Sequence, residues 1–215
     1  MVPRPILLGM LALLVHPLAA EAQAPVNVRV EGADRAGMLA PPWHVVVEEG
    51  DPDVRVGGGG ESVTLTCTDA SYGVERPLDL DPGRLPMVSW AWRVEGPDVA
   101  PVRLSVVVLF DRPGLGRRAL AYAWGPRGQP GEVGRATRGF AMRRVETRSV
   151  TVRSPDAAGS WRAYARDLRA DHEDAFGTSP DEIVGIRFQI ACLDARGSVR
   201  GTFRNVRFGP PGGGR

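Results

Sequence analysis

Met87-Val88-Ser89-Trp90-Ala91-Trp92-Arg93-Val94 is the stretch on which the fold turns: Trp90, Trp92 and Val94 fall on one side, Ser89, Ala91 and Arg93 on the other. A period of two belongs to a strand, whose side chains alternate between faces, and not to a helix. The pattern recurs in both directions. Upstream, Val63, Leu65 and Cys67 alternate with Thr64, Thr66 and Thr68. Downstream, Leu104, Val106, Val108 and Phe110 share one side of a segment spanning 103–111. Leu120, Tyr122 and Trp124 then oppose Ala119, Ala121 and Ala123. Residues 43–48, 144–153, 183–193 and 202–208 read as further strands, and in the third of these Val184, Ile186, Phe188, Ile190 and Cys192 face one way.

Between the strands lie turns and long loops. Gly57 to Gly60 reads as a hairpin tip, because no Lys-Ser/Thr follows to make a phosphate cradle. Leu78 to Pro82 closes a connection, and Gly125 to Gly139, rich in Gly, Pro and Arg, reads as a long loop. Only Trp161 to Phe176 has helix-forming composition, stopped by Gly177-Thr178-Ser179-Pro180. Strands at near-regular spacing without βα alternation predict an all-β antiparallel β-sandwich with one short helix and long loops.

The N-terminus carries a separate signal. Arg4 precedes an apolar run from Ile6 to Ala20, and Ala20-Glu21-Ala22 is a small-x-small cleavage pattern. These are the three parts of a secretory signal peptide. The run is shorter than the ~20 residues that span a bilayer, and no Cys follows it to take a lipid. The expected organisation is a signal at 1–22, an irregular lead-in at 23–42, a sandwich domain at 43–209 and a disordered tail at 210–215, with the mature chain in the periplasm or secreted. Oxidising conditions there make Cys67 and Cys192, the two cysteines of the chain, candidates for a disulfide. Two distant cysteines and two histidines outside the signal show no zinc-ligand spacing, and no cofactor motif is present. All 27 basic residues are Arg, they are scattered, and the net charge is only +2, so no nucleic-acid footprint is indicated. The oligomeric state is left open.

Several of these segments also match a known pattern. Pro86 to Val94 resembles the Pro-x-x-Ser-Trp-x-Trp-x-Val signature of the bacterial DUF3047 family, a domain of unknown function. Val106 to Asp111 and Leu120 to Trp124 resemble its strand ending in Phe-Asp and its Leu-x-Tyr-x-Trp. Trp161, Arg166-Asp167, Ala175-Phe176-Gly177, Ile183 to Ile186 and Asn205 to Phe208 follow in the family's order. The resemblance runs from about Trp43 to Phe208. It implies a secreted or periplasmic jelly-roll sandwich, similar to galactose-binding-type carbohydrate modules, with no established activity. Ala191 to Gly197 departs from the family's acidic, Thr-rich segment and keeps only Asp194.

Candidate chemistry is sparse. Trp90, Trp92, Tyr122 and Trp124 form either the sandwich core or a stacking platform for sugar rings, and their small alternation partners favour the core. The opposite, small-residue face (Ser89, Ala91, Arg93, Ser105 and 119–123) is a candidate ligand floor. A site there would use Arg93, with Asp111 and the loop arginines Arg127, Arg135 and Arg138 at its rim, because guanidinium forks suit carboxylates and vicinal hydroxyls. Asp167, Asp171, Glu173, Asp174 and Asp181 form an acidic stretch that offers carboxylates for glycoside hydrolysis. Asp167, Asp171 and Asp174 at helical spacing are more simply a solvated face. His172 is the one candidate general base, with no nucleophile elbow to serve. The expected function is a non-catalytic carbohydrate-binding or envelope-associated module. The alternatives are a polysaccharide-acting enzyme using the 161–181 carboxylates or Asp111, and a structural partner of the cell envelope. N-terminal sequencing of the exported protein is expected to begin at Gln23; a full-length chain retained in the cytoplasm would contradict the signal reading.

Overall fold

A computed structural model of the chain describes residues 23–30, 32, 39–125, 133–140, 143–153 and 158–211. The signal at 1–22 and Arg127 lie outside the described residues. Among the described residues, thirteen strands and one α-helix follow one another: β1 Val26–Asn27, β2 His44–Glu49, β3 Asp53–Gly57, β4 Ser62–Cys67, β5 Ser71–Leu80, β6 Met87–Glu95 and β7 Arg103–Arg112. Then come β8 Gly116–Trp124, β9 Val133–Phe140, β10 Arg143–Arg153, β11 Arg162–Asp167, α1 Leu168–Phe176, β12 Ile183–Ala191 and β13 Val199–Gly209. They build two sheets. The six-stranded sheet runs β11-β6-β13-β4-β3 with β1 added to β13, and the seven-stranded sheet runs β2-β5-β12-β7-β8-β10-β9. Neighbours are antiparallel except β8 and β10, which are parallel. The fold is a jelly-roll β-sandwich with one short helix.

The alternation read from the sequence decides what lies between the sheets. Trp90, Trp92 and Val94 of β6 are buried against Leu104, Val106, Val108 and Phe110 of β7 and Leu120, Tyr122 and Trp124 of β8, all in one continuous core. Trp90 packs on Tyr122 at 5.2 Å between centroids and on Tyr164 of β11 at 5.5 Å. The four aromatics are therefore core and not a platform. Each large aromatic buries about 150–250 Å², worth roughly 4–6 kcal/mol at about 25 cal/mol/Å². The sheets approach closely because β13 presents Gly201 to the interior: a Cβ there would stand 2.3 Å from Leu104 Cδ1.

Polar and covalent ties reinforce the contact. The Tyr72 hydroxyl of β5 crosses to the other sheet, 2.7 Å from the Asp53 carbonyl oxygen and 2.6 Å from that of Thr66. Burial pushes its pKa up to about 12. Cys67 at the end of β4 and Cys192 just after β12 are bonded, with Cα atoms 6.1 Å apart. The bridge joins the two sheets.

Five segments differ from the sequence-based expectation. In β12 a register shift between Ile183 and Gly185 turns Val184 away from the core face of Ile186, Phe188, Ile190 and Cys192 and toward the outer cluster of Val107, Leu109, Ala119 and Ala121. Residues 161–176 are not one helix, because β11 occupies Arg162–Asp167 and α1 begins at Leu168. In Arg-Ala-Tyr-Ala-Arg-Asp the pairing with β6 overrides helix propensity. The Gly125–Gly139 loop contains the start of β9. The lead-in is not wholly irregular, since β1 pairs with β13 and Val28 and Val30 are buried. The connection at 78–82 begins inside β5. There Pro77 is tolerated because β2 pairs only as far as Glu75, so β5 is an edge from that point. The glycine run is the β3–β4 hairpin tip, as expected.

The disulfide yields a stability prediction. Closing a loop with a sequence separation of 125 stabilises by about 4–5 kcal/mol in the chain-entropy model, and usually less in practice. The C67A/C192A double variant is expected to melt about 10 °C lower, and thiol titration of the native protein to find no reactive thiol. Two titratable thiols would contradict the bridge.

Candidate functional site

The two-residue period that buries Trp90 and Trp92 forces Ser89, Ala91, Arg93 and Glu95 to the outer face of the six-stranded sheet. Strand pairing places polar partners beside them. Arg55, Thr64, Thr202 and Arg93 form one row across β3, β4, β13 and β6, and Asp53, Thr66, Arg200 and Glu95 form the next. Thr64 and Thr202 share a hydrogen bond of 3.0 Å between their hydroxyls. Arg93 pairs with Glu95 at 3.0 Å, and Arg55 with Asp53 at 3.6 Å. This face carries an open depression of about 570 Å³ floored by Thr64 and Thr66 and walled by Asp53, Arg55, Glu95 and Arg200. The size suits a small ligand.

Trp161 stands at the edge of this face. It precedes β11, whose Arg162 pairs with Trp92, so the register sets Trp161 next to Arg93. The Arg204 guanidinium lies 3.7 Å from the Trp161 ring centre and that of Arg93 5.1 Å. The ring is half-buried, held by cation–π contacts instead of by the core. Arg200 and Arg204 are exposed on β13 and make no ion pair among the described residues.

The residues grouped from the sequence do not all share this face. Arg93 lies on the six-stranded sheet and Asp111 on β7 of the seven-stranded sheet. Arg135 and Arg138 fall on β9 of that second sheet; their side chains, like Arg127, lie outside the described residues. The small-residue face is likewise two faces. Ser89 and Ala91 belong to one sheet, and Ser105 and 119–123 to the other. Strand periodicity tells inside from outside but carries no sheet membership. Sequence reasoning misses Trp161, Arg200 and Arg204, the first because its segment scans as helix. The outward Thr64 and Thr66 are legible in the alternation.

Of the acidic stretch, Asp167, Asp171 and Glu173 are committed to structural bonds, whereas Asp174 and Asp181 are exposed. Asp167 caps α1, accepting from the Arg169 and Ala170 amides at 3.0 and 3.1 Å. Asp171 is buried, not solvated: it accepts from the Tyr122 hydroxyl at 2.8 Å and from both ends of the Arg166 fork. Burial and the adjacent Asp171 carboxylate hold the Tyr122 hydroxyl well above its ordinary pKa. Glu173 accepts from the Ser179 hydroxyl. On the seven-stranded sheet, buried Glu75 meets Arg187 at 2.6 and 2.8 Å, Arg117 at 3.9 Å and His44 at 4.0 Å. A retaining glycosidase needs two carboxyls about 5–5.5 Å apart; the partners of Glu75 are all basic groups, whereas burial and the neighbouring Asp79 and Asp111 carboxyls raise the pKa of Glu182 above its ordinary range. Among the described residues no group of three or more metal-ligating side chains converges, and no described helix is long and apolar enough to cross a membrane.

The molecule is thus a jelly-roll β-sandwich with a polar, arginine-bearing outer face. It belongs to the family described as protein of unknown function DUF3047, whose profile matches residues 99–207. No curated protein matches the chain. Among solved structures, a double-cysteine mutant of ENZbleach xylanase aligns at TM-score 0.50 and 8% identity, over 88% of this chain and 89% of that one. The xyloglucanase domain of NopAA, a type three effector from Sinorhizobium fredii solved with cellobiose, gives 0.49 and 11%, over 88% and 99%. A family 11 carbohydrate-binding module from Clostridium thermocellum, with a mixed-linked tetrasaccharide, gives 0.45 and 14%, over 86% and 96%. At such identities the likeness is one of fold.

His172 is not a solvent-facing base. It is buried between Phe110 and Phe176, with ring centres 4.9 and 4.7 Å away, and its Nδ1 lies 2.6 Å from the Thr178 carbonyl oxygen. Burial, as the largest cause, lowers its pKa below the ordinary 6.5. Folding therefore favours the neutral ring. This contribution is complete above the unfolded pKa and is lost as pH falls from there through the folded value. Between pH ~7 and ~5 the melting temperature is expected to fall less steeply in H172Q than in the native protein. Equal slopes would show that the ring titrates freely.

Proposed function

We propose that the mature chain is an exported, non-catalytic carbohydrate-binding module that takes its ligand across the outer face of the six-stranded sheet. One observation carries the reading: the half-buried Trp161 ring, clasped by Arg204 and Arg93, stands at the edge of a face with an open depression floored by threonine hydroxyls. Sugar rings offer an apolar C–H face and a rim of hydroxyls. An indole covers the first and guanidinium forks, hydroxyls and carboxylates bond the second. Trp161 directly precedes β11 and the other groups sit on paired strands, so little ordering cost is left to binding.

The rival readings have less support. In an enzyme built on 161–181, three of the five carboxylates would already be a helix cap, a buried ion pair and a serine contact, leaving the exposed Asp174 and Asp181. An envelope partner would be favoured by a broad apolar patch. The exposed large hydrophobics among the described residues are Val45 and Val47 on β2 and the separate Leu115 and Leu193.

The test is binding of the purified mature chain to a panel of soluble neutral and acidic polysaccharides, with W161A as the control. W161A is expected to lose roughly tenfold or more in affinity, about 1.4 kcal/mol, with an unchanged melting temperature. Absence of binding across the panel, or native affinity in W161A, would overturn the proposal.

A further inference from the structure

We infer that the ligand of this face is an anionic glycan, a sugar chain bearing carboxylates or sulfates, read by arginines on β3, β6 and β13. The inference rests on the reading of the face as glycan-binding and adds the chemical class. Arg55, Arg93, Arg200 and Arg204 project from it against the carboxylates of Asp53 and Glu95, so the face is net positive. Both carboxylates are already paired on their own strands, with Arg55 and Arg93. Arg200 and Arg204 are exposed and make no ion pair among the described residues.

Their placement has a pattern. Arg200, Thr202 and Arg204 alternate along β13 on one face. The two guanidinium roots are thus about 13–14 Å apart at about 3.4 Å per residue. Arg200 walls the depression, and Arg204 lies on Trp161. A chain laid along β13 would meet a cation, a hydroxyl floor and then a cation against an aromatic ring. Guanidinium groups only donate. A face on which four of them stand against two carboxylates therefore asks for an acceptor-rich ligand, and an anionic group takes both arms of a fork at once. A neutral chain would leave that donor capacity to water.

Titration of the mature chain with oligogalacturonate, a sulfated dextran oligomer, cello-oligosaccharides and single-stranded oligo-dT, at about 50 and about 300 mM salt, tests this. Acidic glycans are expected to bind, more weakly at the higher salt, and cello-oligosaccharides at least tenfold more weakly than either. The two acidic arms tell carboxylate from sulfate. In R200A/R204A, acidic-glycan affinity is expected to fall tenfold or more with an unchanged melting temperature. Cello-oligosaccharides binding as well as the acidic chains, without salt dependence, would overturn the anionic class while leaving a glycan-binding face. Oligo-dT binding as tightly as the acidic glycans would overturn recognition of a sugar. Absence of all binding would overturn the glycan reading itself, and native affinity in R200A/R204A would overturn the role of β13.

Discussion

The two-residue period of β6 is the constraint on which the rest depends. Trp90 and Trp92 cannot both enter the space between the sheets without turning Ser89, Ala91, Arg93 and Glu95 outward. A one-residue slip would expose two indoles and bury a guanidinium–carboxylate pair. Register is thus set by core energetics, and the outer face inherits its order. Because β13 pairs with β6 and β4 at once, Thr202 stands between Arg93 and Thr64, and Arg200 between Glu95 and Thr66. Trp161 is placed by the same pairing, one step beyond the match of Arg162 with Trp92.

The two sheets are tied at separate places by different physics. Cys67–Cys192 and the Tyr72 hydroxyl tie β4 and β3 to β5 and β12. Elsewhere, Arg166 on β11 and Tyr122 on β8 meet at Asp171 of α1, so a helix residue joins both sheets through one buried carboxylate. The helix is held there by the Asp167 cap, by His172 between two phenylalanines and by a left-handed Gly177 that donates to the Glu173 carbonyl. Asp167 and Asp171 thus fix that end of the sandwich.

Much of the fold is legible in the sequence because alternation is a local signal. β4, β6, β7, β8, β12 and β13 each show it, and the aromatic core follows from β6 and β8. What stays hidden depends on partners distant in sequence. Arg162 to Asp167 scans as helix-forming, yet it is a strand because β6 has an open edge to pair with. β5 carries Gly73 and Pro77, which read as turn residues. They are tolerated because Gly73 lies where a Cβ would stand 2.6 Å from the Phe188 carbonyl oxygen and Pro77 where β2 has ended. Arg93 and Asp111 look like one site because both alternate out of the core register of their strands, and only strand order assigns them to different sheets. Arg93 is therefore readable as outward-facing, whereas its neighbours Trp161, Arg200 and Arg204 are not.

The most direct measurement is an NMR titration of the mature chain with an acidic oligosaccharide, followed at the indole N–H signals of its five tryptophans. Trp43, Trp90, Trp92 and Trp124 are buried and Trp161 is half-buried on the proposed surface. The account predicts that the Trp161 signal shifts with saturation, together with backbone amides of β6 and β13, while the four buried indoles hold still. Shifts gathered around Glu75 and Arg187 on the opposite sheet, with Trp161 unmoved, would contradict it.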